Sequence, residues 1–378
     1  MPEPAASTAA PVLEVQTGVC YALFAYEVGQ SIDLDEAQRR ITALKERAPI
    51  RHKRRAPHYF AFHPPPLRVT QEVTPLAVGA YRTVDHVDAL LYDFGAVSVS
   101  YAITFTGPLS RLLTLGEALY DNATLLADSR TRVEQLLASI APAVGRPRTA
   151  DVIETYAIFQ IIAFTTPCSP GELQTMHAPE MAQILRSERG RLSEQEVRDA
   201  TSHAISFGAE DLALIDWDAA LLFDREADDV RDVLEFANVE LLEMRFLDQQ
   251  LDDALDASYE TLSRRRWGPP RMPGVSRAEL RQVGRLQVDA ALLFEGVNNA
   301  LKLLGDQYLA RVYRLVSDRF HLAEWDASIL RKLETLESIY QKMSDAASSR
   351  RLEVLEWIII VLIAASIAIP FIAPLARH

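Results

Sequence analysis

The chain has 378 residues, of which 49% are hydrophobic and 24% charged, and a formal net charge of −13. That composition supports buried cores in about two domains and excludes wholesale disorder, while the acidity disfavours non-specific nucleic-acid binding by the surface as a whole. The two cysteines, Cys20 and Cys168, lack CxxC spacing, which excludes a disulfide framework or a cysteine-rich zinc site and fits a reducing compartment.

Residues 1–14 read as a short disordered lead, with neither the basic start of a secretory signal nor the arginines of a transit peptide. Residues 15–224 alternate strand-like and helix-like runs, the pattern of an α+β or α/β head domain. Val19–Val28 reads as a buried strand, followed by an amphipathic helix over Leu34–Leu44 with Leu34, Ala37, Ile41 and Leu44 on one face. A basic loop at Arg51, Lys53, Arg54 and Arg55 precedes a short strand at Tyr59–Phe62. The run Pro64-Pro65-Pro66 then interrupts regular structure. Strands are expected at Leu67–Val78 and Ala96–Phe105, helices at Leu109–Leu126 and Arg130–Ile140, and a β-rich strand at Ile153–Thr165. Helices at Ala178–Arg186 and Ser193–Asp199 lead to strands at Ala204–Phe207, Leu212–Asp216 and Ala219–Phe223. The strand order is left open.

Residues 225–350 change to helical periodicity, predicting a helical hairpin and a coiled-coil stalk. Val230, Leu234, Ala237, Leu241, Met244, Asp248, Leu251, Leu255, Ser258 and Leu262 step by fours and threes as in a coiled-coil seam. Thirteen Asp or Glu stand against three Arg between Asp224 and Glu260. The sequence Trp267-Gly268-Pro269-Pro270 forces a turn, and Ser276 with Glu279 forms a capping box for a second helix running to about Leu304. A third helix starts at Ile329. Its seam, Leu333, Leu336, Tyr340, Met343 and Ala347, continues in register through Arg350, Val354, Trp357 and Val361. Such a seam seeks either the preceding hairpin or a second copy, and a homo-oligomer is expected.

Residues 351–378 read as a C-terminal transmembrane anchor. Trp357–Leu375 carries no charge and as a helix spans roughly 28 Å, close to a bilayer's hydrocarbon thickness. Trp357, Ile358, Ile359, Ile360 and Leu362 begin the anchor, and Arg350 and Arg351 precede it. The positive-inside rule places the bulk of the chain in the cytoplasm, giving a single-pass, tail-anchored protein whose lipid partner is the membrane itself.

Tyr92-Asp93-Phe94-Gly95, Asp211–Asp224 (DLALIDWDAALLFD), Val233–Arg245 and Arg351–Ile359 together resemble the domain-of-unknown-function family of the mitochondrial "required for meiotic nuclear division" proteins. The resemblance spans most of the chain from about Val19. It implies a one-anchor membrane protein with an α/β head and helical stalk, acting as an assembly or tether that supports translation. The missing transit peptide points to a bacterial-type member in the bacterial inner membrane. The family brings no catalytic residue.

Few residues suggest chemistry of their own. His52, His58 and His63 crowd one segment without an acidic or cysteine partner, so they read as loop histidines and no metal site or cofactor is assigned. Arg51, Lys53, Arg54 and Arg55 beside Tyr59 and Phe60 are candidate RNA or anionic-lipid contacts. Asp216-Trp217-Asp218 offers a carboxylate pair, but with no adjacent nucleophile. No phosphate-cradling Gly-rich loop and no HExxH motif is present. The expectation is a membrane-anchored, self-associating scaffold or tether, with a ribosome, RNA or protein partner and a setting in translation or membrane-protein biogenesis. The alternatives are an oligomeric ion channel resembling the magnesium channels in architecture, though without their Gly-Met-Asn signature, and an enzyme with an unrecognised site.

Overall fold

The computed structural model describes residues 12–42, 44–47, 64–267, 284, 286, 288, 307–342 and 360. They fall into two compact units: Met1–Phe246 with Leu292–Asp326, and Leu247–Ala291 with Ala327–His378.

The first unit is organised by one long strand. β1 (Glu14–Glu27) is apolar at successive positions from Cys20 onward, and a strand buried on both faces has no need of a polar alternate. It therefore lies inside the sheet, between β7 (Ala96–Pro108) and β9 (Ile153–Phe164), antiparallel to both. Beyond β7 follow β6 (Tyr81–Leu91), β4 (Leu67–Glu72) and β3 (Leu44–Arg47), with β5 (Ala77–Val78) hydrogen-bonded to β6. Beyond β9 follow β12 (Ala219–Phe223), β11 (Leu212–Ile215) and β10 (Ala204–Ile205). The sheet is mixed, because β12 runs parallel to β9. A separate antiparallel pair joins β2 (Ser31–Ile32) to β8 (Val144–Gly145).

Side-chain parity sorts the two faces. Cys20, Ala22, Phe24 and Tyr26 belong to the core shared with α2 (Arg111–Leu119) and α3 (Ala123–Ile140). On that face the Tyr26 hydroxyl lies 2.6 Å from Ser129 Oγ, Phe24 meets Tyr101 edge-on at 5.8 Å, and the Tyr101 hydroxyl donates to Asp128 at 2.6 Å. Tyr21 faces the other way, with the guanidinium of Arg231 lying 4.4 Å over its ring. Arg231 belongs to α7 (Asp228–Trp267), whose buried Val230, Val233, Leu234 and Ala237 cover this second face. Between β9 and β10 lie three short helices, α4 (Pro170–Met176), α5 (Ala178–Arg186) and α6 (Glu194–Ala200), and Ser193 caps α6. The remaining short helix, α1 (Leu34–Arg40), is capped by Asp33.

Chain-order expectations for the head hold closely at α5 and β12 and loosely elsewhere. The helix expected over Leu34–Leu44 ends at Arg40, and Leu44 already belongs to β3. β6 is absent from the expected set because its sequence, YRTVDHVDALL, hides an alternating strand behind charges that point off the core. The turn joining β6 to β7 requires Gly95, which has φ 108° and lies where a Cβ would collide with the carbonyl of Gly29.

The first unit also takes in α8 (Gln307–Arg319), in which Leu309, Val312 and Val316 are buried, as is Phe320 just after it. In the second unit the described residues are mainly the end of α7 and helical residues 327–342. Lys332 Nζ sits 2.7 Å from both Asp248 and Asp252, so these helices lie side by side. Leu247, Leu251, Ala254 and Ser258 are buried on α7, and Ile329, Leu333, Leu336 and Tyr340 opposite. The seam read from α7 keeps Leu251 and Ser258, but its second row is Leu247 and Ala254 rather than Asp248 and Leu255. A buried carboxylate is costly, and the shift leaves Asp248 at the edge for Lys332.

The head-plus-anchored-stalk fold class requires correction. The first unit is a mixed sheet with helices on both faces that takes in the start of α7 and α8. Among the described residues no helix is long and apolar enough to cross a membrane; the longest, α7, carries acidic residues along its length. The tail-anchored, single-pass architecture and the bacterial inner-membrane localisation are therefore not supported. Trp357, Ile358, Ile359 and Leu362 lie outside the described residues, and Ile360 is helical and half exposed.

Candidate functional site

The densest polar constellation of the first unit forms around the turn between β11 and β12. Both strands are buried along their whole length, so the turn residues Asp216, Trp217 and Asp218 must meet the neighbouring elements. The Asp216 amide donates to the Ala219 carbonyl at 2.9 Å, the Tyr156 hydroxyl donates to the Asp216 carbonyl at 3.0 Å, and the Ala157 amide donates to Asp218 O at 3.0 Å. These bonds pin the turn to β9.

The Asp216 side chain is 0% exposed and faces two guanidinium groups. Arg319, at the end of α8, donates to Oδ1 from Nε at 2.7 Å and from Nη2. Arg186, in the last turn of α5, places Nε 2.6 Å from Oδ2, a close ionic contact without hydrogen-bond alignment. Asp199, in the last turn of α6, accepts from Nη2 of Arg186 at 2.7 Å and from Nη2 of Arg319 at 2.9 Å. Hydrogen bonds from Arg319, and then from Arg186, hold the Asp199 carboxyl below the usual carboxylate range. Two cations and two anions thus balance, as a buried ionic group requires.

Above this network Trp217 is 44% exposed, with Arg319 Cζ 5.2 Å from its ring and the His321 ring 5.0 Å away. His203 is held below its ordinary pKa by burial and then by Arg319. Burial, followed by the charge of Asp216, raises the Asp218 carboxyl. Acid–base chemistry needs a carboxylate that can reach a substrate proton, whereas both oxygens of Asp216 face guanidinium groups. The arrangement acts as a clasp fastening α8 to α5, α6 and the sheet.

Two further acidic groups lie beneath α7. On the sheet, Asp88 accepts from Arg68 at 3.1 Å and from the Thr70 hydroxyl at 2.5 Å, while Asp232 of α7 lies 3.7 Å from Arg68. Burial raises the Asp232 carboxyl to about 7 and raises Glu235 as well. Further along α7, Glu240 is 2% exposed and accepts from the Tyr313 hydroxyl of α8 at 2.5 Å. Burial pushes its carboxyl up to about 8.

A groove of about 530 Å³ opens between α5 and α6. Leu192 and Val197, half buried, form its apolar part with Pro179, and Arg189, Arg191 and Arg198 stand around it. Arg189 is engaged by Glu117, whereas among the described residues no carboxylate pairs with Arg191 or Arg198.

Of the residues singled out from sequence, Arg51, Lys53, Arg54 and Arg55 lie outside the described residues, as do His52, His58 and His63. Leu333, Leu336 and Tyr340 are buried, while Met343 and Ala347 fall outside the described residues. Among the described residues no three His, Cys, Asp or Glu side chains converge as a metal site would need. The clasp residues Arg186, Asp199 and Arg319 carry no local signal, since their roles depend on contacts up to 120 residues apart.

These features define a mixed α/β domain to which the later helix α8 is ion-paired. Residues 17–229 match the family described as the N-terminal domain of the uncharacterized protein MJ0711, and the chain belongs to that family. It is 23% identical over 190 residues to the uncharacterized protein MJ0711 of Methanocaldococcus jannaschii, an alignment covering 50% of this chain and 56% of that protein. The chain thus spans about half the length of this relative. No solved structure matches. The family shown replaces the resemblance to the meiotic nuclear division proteins. Two of the segments that carried that resemblance have structural roles here: Gly95 satisfies a positive-φ turn, and Asp216 anchors the clasp.

Proposed function

We propose that this chain is a self-associating scaffold protein without catalytic activity, in which the sheet domain offers a recognition surface and the end of α7 an assembly surface. The observation that carries this reading is α7 itself. Over its first half the helix is buried against the sheet; beyond Leu247 it keeps one buried stripe and exposes Asp252, Asp253, Asp256 and Tyr259. Tyr259, 57% exposed amid carboxylates, is an amphipathic ring suited to an apolar surface on a partner. The buried ionisable groups support the non-enzymatic part, because Asp216, Glu154 and Glu240 are each spent on a partner from another element. The test is the mass of the purified full chain by light scattering across a roughly hundredfold concentration range. Mass rising above that of one chain supports the reading, and a monomer throughout overturns it.

A further inference from the structure

The groove between α5 and α6 and the exposed face of α7 are complementary in chemistry. Inside an acidic chain, the groove gathers Arg191 and Arg198, both exposed and without a carboxylate partner among the described residues, around the apolar Pro179, Leu192 and Val197. Among the described residues Glu194 is the one acid in its lining. The α7 face has the opposite character. Asp252, Asp256 and Tyr259 stand at i, i+4 and i+7, and therefore on one side of the helix, with Asp253 beside them. That spacing is the one by which an amphipathic helix lays anchors into a groove between two helices.

The partners of these acids sharpen the choice. Asp252 is already held by Lys332, and Asp253 accepts from the side chain of Gln249 at 3.2 Å. Among the described residues Asp256 has no such partner, and it lies one turn from Tyr259. An exposed tyrosine flanked by carboxylates suits an apolar floor edged by arginines: the ring covers Leu192 and Val197 while guanidinium and carboxylate groups pair at the margin. Such rim pairs contribute mainly orientation and selectivity, and the buried ring supplies most of the affinity.

We infer that the α5–α6 groove of one copy of this chain receives the Asp256–Tyr259 face of α7 from a second copy. The inference rests on the scaffold reading and names its contact. A polyanion such as RNA would also be drawn to arginines, but the net charge of −13 opposes it at longer range, whereas an acidic helix of limited length needs only the local charge.

The test is a charge exchange in the full chain. Arg191→Glu with Arg198→Glu makes the groove acidic, and Asp253→Arg with Asp256→Arg makes the helix face basic. Each double variant alone brings like charges together, so self-association measured by sedimentation should weaken by about tenfold or more. Mixed in equal amounts, each variant supplies the surface the other needs, and assembly should return as a complex containing both. All four positions are exposed, and circular dichroism checks that each variant is folded. Tyr259→Ala provides an uncharged control, which should weaken assembly and should not be rescued by mixing with the helix-face variant, because neither chain then offers an intact α7 face. If the wild-type chain assembles and the double variants assemble equally well, or if mixing restores nothing, this contact is wrong while the scaffold reading stands. A wild-type chain that is monomeric removes both.

Discussion

Asp216, wholly buried at the end of β11, accepts two N–H groups from Arg319, which follows it by 103 residues. Between them lie β12 and the whole of α7, so this one contact joins the end of the family-matched domain to a helix outside the match. Arg186 approaches the other carboxylate oxygen from α5. The clasp therefore gathers three separately formed elements on one charge.

Replacing Arg319 by Met should destabilise the first unit by about 3–5 kcal/mol, because Asp216 would keep its burial and lose its forked partner. Urea unfolding should show a lower midpoint with the slope unchanged. Replacing Asp216 by Leu in the same chain should recover a large part of the loss, since paired removal of buried charges is close to neutral. A single-variant loss below about 1 kcal/mol would show that the clasp contributes no more than a surface pair.

Glu240 gives the fold a definite pH dependence. Its folded carboxyl lies at about 8 against an ordinary value of 4.5. The native state therefore holds a proton over that window that the unfolded chain has released, and stability falls as pH rises from about 4.5 to about 8. Glu240→Gln keeps an acceptor for the Tyr313 hydroxyl and removes the ionisation. The variant should match wild type near pH 4.5 and be more stable near pH 8, by on the order of a few kcal/mol. Parallel stability-versus-pH curves for the two proteins would contradict the assignment.

Gly95 should tolerate no side chain. At φ 108°, with the Gly29 carbonyl where a Cβ would lie, Gly95→Ala combines backbone strain with a steric collision. It should cost more than the roughly 1–3 kcal/mol of backbone strain alone and lower the thermal midpoint accordingly. Gly171, which has open space around its Cβ position, serves as the control, and Gly171→Ala should change stability by only about 0.5 kcal/mol.

In the second unit Leu336 is 0% exposed in the helix beside α7. Leu336→Ala should cost about 2–5 kcal/mol by leaving a cavity in that packing. Hydrogen exchange should report faster opening of residues 327–342, and Leu330→Ala, on the exposed side at 48% exposure, should leave exchange almost unchanged.

Several elements were legible because their signals are local. β12 and α5 begin and end where their apolar pattern does, and β9 follows its run of Ile, Tyr and Phe. β6 was not legible, because Asp85, His86 and Asp88 mask its alternation: Asp85 and His86 are exposed and pair with each other, and Asp88 finds Arg68 and Thr70 only on the neighbouring strand. The seam on α7 was legible as a stripe but not in its second row, since the choice between Leu247 and Asp248 depends on where Lys332 stands. The hydrophobic C-terminal run suggested an anchor on hydropathy alone, and no helix among the described residues takes that role.

The sequence by itself determined the period of β9, β12 and α5 and the acidity of α7, because these follow from spacing and composition within a few residues. Only the tertiary structure decided that Asp216 is ion-paired across the fold. The sequence around it specifies a carboxylate at a turn, but its partners are two guanidinium groups, one of them 103 residues away, that meet it only in the folded chain.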